Sequence, residues 1–190
     1  MPARIIEGDI FKSEADIIVQ QTNCVTRKAH GLSEVIAKKW PTANIYARRE
    51  GPTPNVAFAF DEGTPGTCVL LKTGVTKPSQ VACLMGQVCP GNGKNDYWCR
   101  RYGKKFQNDN ATARRTYFEK ALADLANQLK RKTITIDNED VDRIIAFPFQ
   151  IACGLAGGDW KVYEPMIHAF ADDISQRGWS THIYKMDASQ

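Results

Sequence analysis

The chain has no long hydrophobic run. Its longest, "ADIIV" and "RIIAFPF", fall far short of the roughly 20 residues that span a bilayer. The opening "MPARIIEGDI" has neither an extended apolar stretch nor a small-residue cleavage site, so no secretory signal is expected and a cytoplasmic or nuclear location is. The six cysteines, Cys24, Cys68, Cys83, Cys89, Cys99 and Cys153, make no C-x-x-C pair. In a chain that is not exported they are expected to stay reduced, Cys68 and Cys83 as small core residues. Cys83, Cys89 and Cys99 do not have zinc-site spacing, and neither a metal nor a cofactor is expected. Also missing are internal repeats, low-complexity stretches and linkers, so residues 1–190 are expected to form one domain. Nor does either sign of charge dominate: 25 Lys+Arg against 21 Asp+Glu leave a net charge of +4. The local basic excess is Lys94, Arg100, Arg101, Lys104, Lys105, Arg114 and Arg115. It reads either as a solvated face or as a patch for a phosphate-rich ligand or nucleic acid.

With 43% hydrophobic and 24% charged residues, the composition is that of a globular protein able to bury a core. "ARIIEGDIF" reads as a strand entering a Gly-Asp turn, and "ADIIVQQTN" as a buried strand turning polar at its end. "LSEVIAKKW" has apolar residues at helical spacing, and Pro41 suits the start of a second helix through "PTANIYARRE". "GTCVLLKTG" and "SQVACLMGQ" read as two strands around a turn at Gly74. Residues 89–109 show no period and read as a long loop. A helix is expected over 111–130, a strand at "VDRIIAFPF", a helix at "VYEPMIHAFADDISQRG" with Gly178 past its end, and a last strand at "THIYKM". This alternation predicts an α/β domain with a sheet covered on both faces.

In such sheets ligands bind beyond the carboxyl ends of the strands. Two strand ends are chemically unusual. "QQTNCVTRKAHG" places Gln20, Gln21, Thr22 and Asn23 at the end of a buried strand. Their amides suit a hydroxylated ligand such as a ribose, or merely satisfy loop backbone. Gly31 before the next helix admits close backbone approach and an anion. "QIACGLAGGDW" brings Gly154, Gly157 and Gly158 ahead of another helix start, an arrangement that suits a diphosphate or a tight turn packed on the sheet. It is neither a P-loop, lacking the lysine, nor G-x-G-x-x-G.

Taken in order, "GDIF", "IIVQQTNCVT…HGL", "GQVCPG" and "FPFQIACGLAGGDW" resemble a macro domain over residues 5–186. The flavour is nearest the branch of ADP-ribose-1″-phosphate phosphatases and relatives of the terminal ADP-ribose glycohydrolase. The resemblance implies a three-layer α/β/α domain with a central mixed, mostly parallel sheet and an ADP-ribose cleft at the strand ends. It implies that Asp9 accepts from the adenine amino group with Ile10 beside the ring, that Asn23 bonds the distal ribose, and that Gln20 stands near it. The Gly31–Leu32 loop and the loop of Cys153, Gly154, Leu155, Ala156 and Gly157 would clasp the diphosphate. Tyr184 is the aromatic expected beside the adenine, or else covers the sheet edge.

The chain departs from this family in three places. "QQTN" stands where many members have "NAAN", and "KAHG" stands where a run of glycines is usual, placing His30 near phosphate or distal ribose. After the central strand, Gln87 or a neighbour stands in place of the lysine of the lysine-dependent branch, which argues against a covalent lysine intermediate. The catalytic candidates are Asn23 as a positioning group, His30 as a proton shuttle and Asp159 as an activator of water, with a helix cap as the alternative for Asp159 or a role it fills at the same time. Cys24 near His30 lacks an oxyanion arrangement for a thiol nucleophile. The expectation is ADP-ribose binding with hydrolysis of ADP-ribosyl linkages on protein or nucleic acid, or dephosphorylation of ADP-ribose-1″-phosphate. The alternatives are a non-catalytic ADP-ribose reader and, less favoured, a module that binds nucleic acid directly. The partner expected is ADP-ribose or an ADP-ribosylated macromolecule, and no membrane.

Overall fold

Ile17, Ile18 and Val19 are all buried although they alternate in direction, so their strand must be covered on both faces. A computed structural model shows how; it describes residues 1–58, 60–92, 108–129, 134–136, 139–141 and 143–186. Its elements are β1 (Arg4–Glu7), β2 (Ile17–Gln21), α1 (Leu32–Lys39), α2 (Ile45–Arg48), β3 (Cys68–Lys72) and β4 (Gln80–Leu84). There follow α3 (Ala111–Gln128), β5 (Ile134–Ile136), β6 (Glu139–Val141), β7 (Arg143–Pro148), α4 (Trp160–Ser175) and β8 (Trp179–Lys185).

Six strands form one sheet in the order β1-β8-β7-β2-β4-β3. Every neighbouring pair is parallel except β3 with β4, the hairpin expected around Gly74. One face carries Ile17, Val19, Leu84, Ile145 and Phe147 and packs under α3 and α4 through Phe118, Leu125, Ile167 and Phe170. The other carries Ile18, Val81, Cys83 and Ala146 and packs under α1 and α2 through Ile36, Ile45 and Tyr46. The expected three layers and mixed, mostly parallel sheet are therefore present.

Details differ from the sequence expectation. The helix expected from Pro41 is a 3-10 turn (Pro41–Ala43) followed by the short α2, whose cap Asn44 accepts from Tyr46 and Ala47 N–H. The β5–β6 hairpin, too short to show a period, was not anticipated. Most of the long loop, with Lys94, Arg100, Arg101, Lys104, Lys105 and Cys99, lies outside the described residues. Cys24, Cys68, Cys83 and Cys153 are free thiols, whereas Cys89 is disulfide-bonded, against the expectation of reduced cysteines. No helix among the described residues is long and apolar enough to cross a membrane.

Candidate ligand cleft at the strand ends

The carboxyl ends of β2, β4 and β7 open into a cleft of about 500 Å³. Its wall comes from three segments: Gln21 to Ser33 after β2, Gln87 to Gly91 after β4, and Pro148 to Ala156 after β7, with Tyr46 of α2 at the base. Of the residues expected to bind, Asn23, His30, Gly31, Leu32, Gly154, Leu155 and Ala156 line it.

Asn23 is buried, and its Oδ1 accepts from the N–H of Val25 (3.1 Å) and Thr26 (2.9 Å) and from Thr26 Oγ1 (3.0 Å). Three donors fix the orientation of the amide, leaving Nδ2 as the group without a partner among the described residues. Gly31 stands before α1 with φ 57° and makes no side-chain cap, so the N–H groups of Leu32 and Ser33 are left without protein acceptors among the described residues. Opposite, the N–H groups of Gly154, Leu155 and Ala156 also lack protein acceptors among the described residues. Consecutive free amides form an anion-binding concavity, and a helix start adds a positive dipole end. The two loops approach one another: a methyl group built on Gly31 would stand 3.9 Å from Leu155 Cδ1. The wall leading there holds Gln150 (φ 56°) and Ala152 (φ 69°), two non-glycine residues in the left-handed region. Such conformations persist where the surrounding structure over-determines them, and they cluster at ligand sites.

The two loops are pinned together from behind. Arg114 of α3 is buried and donates to the carbonyls of Gly91 (2.6 Å), Ala156 (3.2 Å) and Cys89 (3.0 Å) while pairing with Asp109 (2.6 Å). Asp109 accepts from Val88 and Cys89 N–H. Arg114 therefore belongs to neither reading of the basic segment, solvated face or nucleic-acid patch, because its charge is consumed inside.

Other expected residues are placed elsewhere. Gln20 points to Cys83 on the α1 side of the sheet (Nε2 to Sγ 3.2 Å), because successive strand residues face opposite ways. The neighbour, Gln21, is the one at the cleft. Asp159 is exposed and caps α4, its Oδ1 accepting from Lys161 N–H at 3.0 Å. It does not line the cleft, and the cap is made through Oδ1. Cys153 turns its thiol toward the Ile151 carbonyl (3.3 Å), and Gly157 packs on Asn92. Asp9 caps the 3-10 turn Ile10–Lys12, and Ile10 and Tyr184 pack with the second core. Tyr184 lies beside the cleft, since β8 pairs it with Pro148 and its carbonyl accepts from Phe149 N–H. Cys24 is fully buried and burial pushes its thiol up to about 12, which removes it as a nucleophile near neutral pH.

Sequence reasoning missed Lys28, Ser33, Tyr46 and Phe149 as cleft residues and did not choose between Gln20 and Gln21, while Gln87, named there for its position, lines the cleft. Gln21 Nε2 donates to Gln87 Oε1 (2.7 Å), and Gln87 Nε2 to the Cys89 carbonyl (2.9 Å). That last carbonyl orients both amides. The doubled glutamine before Asn23 was a usable signal for Gln21, because strand parity puts only one of the two on each face.

No family model and no curated protein matches the chain. Among solved structures it is similar to the macrodomain of Mycobacterium tuberculosis DarG, at 17% identity and TM-score 0.59 over 96% of this chain and 97% of that one. It is similar also to the macrodomain of Thermus aquaticus DarG, at 14% identity and TM-score 0.60 over 96% and 97%. A Trypanosoma brucei macrodomain in complex with ADP-ribose matches at 13% identity and TM-score 0.55, over 95% of this chain and 62% of that one. The chain has the macrodomain fold.

Proposed function

We propose that the cleft binds ADP-ribose and that the protein hydrolyses a bond at the distal ribose, releasing ADP-ribose from a modified protein or nucleic acid or dephosphorylating ADP-ribose-1″-phosphate. The observation that carries the reading is two sets of backbone amides without acceptors among the described residues, Leu32 and Ser33 and Gly154, Leu155 and Ala156, lining one cleft. The two phosphates of a diphosphate, joined through one bridging oxygen, suit two donor arrays in one cleft. The solved Trypanosoma brucei macrodomain holding ADP-ribose supports the same choice of ligand.

In this reading Asn23 Nδ2 donates to the distal ribose hydroxyls, and the adenine lies toward Phe149, Ile10, Tyr184 and Asp9. His30, exposed at the cleft edge, moves the proton for the departing group, a role suited to imidazole near neutral pH. Gln87 follows β4, and an amide forms no covalent imine with a sugar. Water is therefore the nucleophile. A second reading, the non-catalytic reader, is favoured by one observation: the carboxylate expected to activate water, Asp159, caps α4 and does not line the cleft.

Calorimetry with ADP-ribose, followed by incubation with ADP-ribosylated protein, ADP-ribosylated nucleic acid and ADP-ribose-1″-phosphate, tests both. The expected result is binding together with turnover of at least one substrate. His30→Ala should lower turnover on the order of a hundredfold or more with Kd little changed. Absence of binding at millimolar ADP-ribose refutes the cleft assignment; binding without turnover of any substrate leaves the reader.

A further inference from the structure

We infer that Arg49, a residue that does not line the cleft, is the positioning residue for Asn23; the inference rests on the ADP-ribose reading above. Arg49 follows α2 and is 1% exposed. Among the described residues no carboxylate pairs with it. Its Nη1 donates to the Thr26 carbonyl at 2.8 Å and its Nη2 to the Asn23 carbonyl at 2.5 Å. The guanidinium lies 4.8 Å from the centre of the Tyr46 ring, and Nε is buried without an acceptor.

A buried guanidinium without a carboxylate is a poor way to stabilise a fold, since an apolar side chain of similar volume avoids the desolvation penalty altogether. What Arg49 does accomplish is geometric. The two carbonyls it holds are the two ends of the Asn23–Thr26 turn. Within that same turn, Asn23 Oδ1 accepts from Val25, Thr26 and the Thr26 hydroxyl. The turn is thus closed twice, by the asparagine side chain within it and by the arginine fork from outside. Both closures act on one residue, which lines the cleft, and the polar group of its side chain that remains is Nδ2. Tyr46, stacked on the guanidinium, also lines the cleft, so the cleft wall and the turn share one support. A lysine cannot replace this fork, because a single ammonium on a flexible stem does not hold two carbonyls at fixed separation.

The test is a double-variant cycle read by calorimetry on wild type, Arg49→Lys, Asn23→Ala and the combination. Each single substitution is expected to weaken ADP-ribose binding roughly tenfold or more, and the combination to bind within about twofold of Asn23→Ala alone. Binding of adenosine, which lacks the distal ribose, is expected to be unchanged by Arg49→Lys, an outcome that general loosening of the fold would not give. If Arg49→Lys does not fold, Arg49→Met, which keeps an apolar side chain of similar volume without the fork, takes its place in the same cycle, and binding equal to wild type or additive with Asn23→Ala overturns the inference. Wild type that does not bind ADP-ribose removes the cleft reading and this inference with it. Wild type that binds, with Arg49→Lys equal to it or additive with Asn23→Ala, overturns the Arg49 inference alone.

Discussion

A methyl group on Gly158 would stand 2.6 Å from the Ala152 carbonyl oxygen and 2.8 Å from Tyr163 Cε2. On Gly157, held at φ 69°, it would stand 2.8 Å from Asn92 Cβ. On Gly154 it would meet nothing within 4 Å. The three glycines of one short loop therefore answer to different demands: two let the loop pack, and one leaves the cleft wall bare. Gly158→Ala and Gly157→Ala are expected to destabilise the protein by roughly 1–3 kcal/mol, through overpacking and, at Gly157, backbone strain. Gly154→Ala should leave the urea midpoint in place while raising the Kd for ADP-ribose, because its methyl enters only the ligand's space. Equal midpoints for Gly154→Ala and Gly158→Ala would refute this division. Composition alone presents the glycines as one device. What stands opposite each belongs to another segment, so the sequence holds no trace of it.

The elements were legible where a pattern repeats. β2, β7, α3 and α4 are long enough to show their period, and the parity of β2 contained the choice between Gln20 and Gln21. The links between elements left no such pattern. Arg114 sits in a run of basic residues that reads as surface, yet its guanidinium reaches the carbonyls of Cys89, Gly91 and Ala156 and the Asp109 carboxylate. It joins α3 to the loops after β4 and β7, on either side of the cleft. Arg114→Met leaves Asp109 buried with a reduced set of donors, and breaking such a pair is expected to cost on the order of 3–5 kcal/mol. Urea denaturation measures that loss. The same variant should weaken ADP-ribose binding, because Ala156 loses the contact that fixes its peptide. Unchanged stability would mean that the pair contributes nothing beyond the backbone bonds Asp109 already accepts.

At the scale of the molecule, the strand order brings together segments near residues 21–33, 87–91 and 148–156. The two polar strand ends could be read from the chain as ligand-facing, since amides and glycines are poor choices for a strand terminus that serves packing alone. Their distance from one another, and the third segment between them, depend on sheet order. Sheet order also sets what the interior excludes. The thiols of Cys24 and Cys83 are pushed up to about 12 and that of Cys68 well above its ordinary value, in each case chiefly by burial. In the unfolded chain these thiols ionise near about 8.5. Between that pH and their folded values, the folded state keeps protons that the unfolded state gives up, so stability falls as pH rises. Below about pH 8 both states are protonated and the thiols make stability independent of pH. The slope above it is roughly 1 kcal/mol per pH unit for each fully buried thiol. The urea midpoint is therefore expected to be level from pH 7 to 8 and to drop between pH 8.5 and about 9.5, before the tyrosines titrate in the unfolded chain. Cys24→Ala should remove about one thiol's share of that drop, whatever it does to the midpoint at neutral pH. A midpoint that stays level through the alkaline range, or a slope unchanged in Cys24→Ala, would mean that the thiols ionise in place and that water reaches the layer between the sheet and its helices.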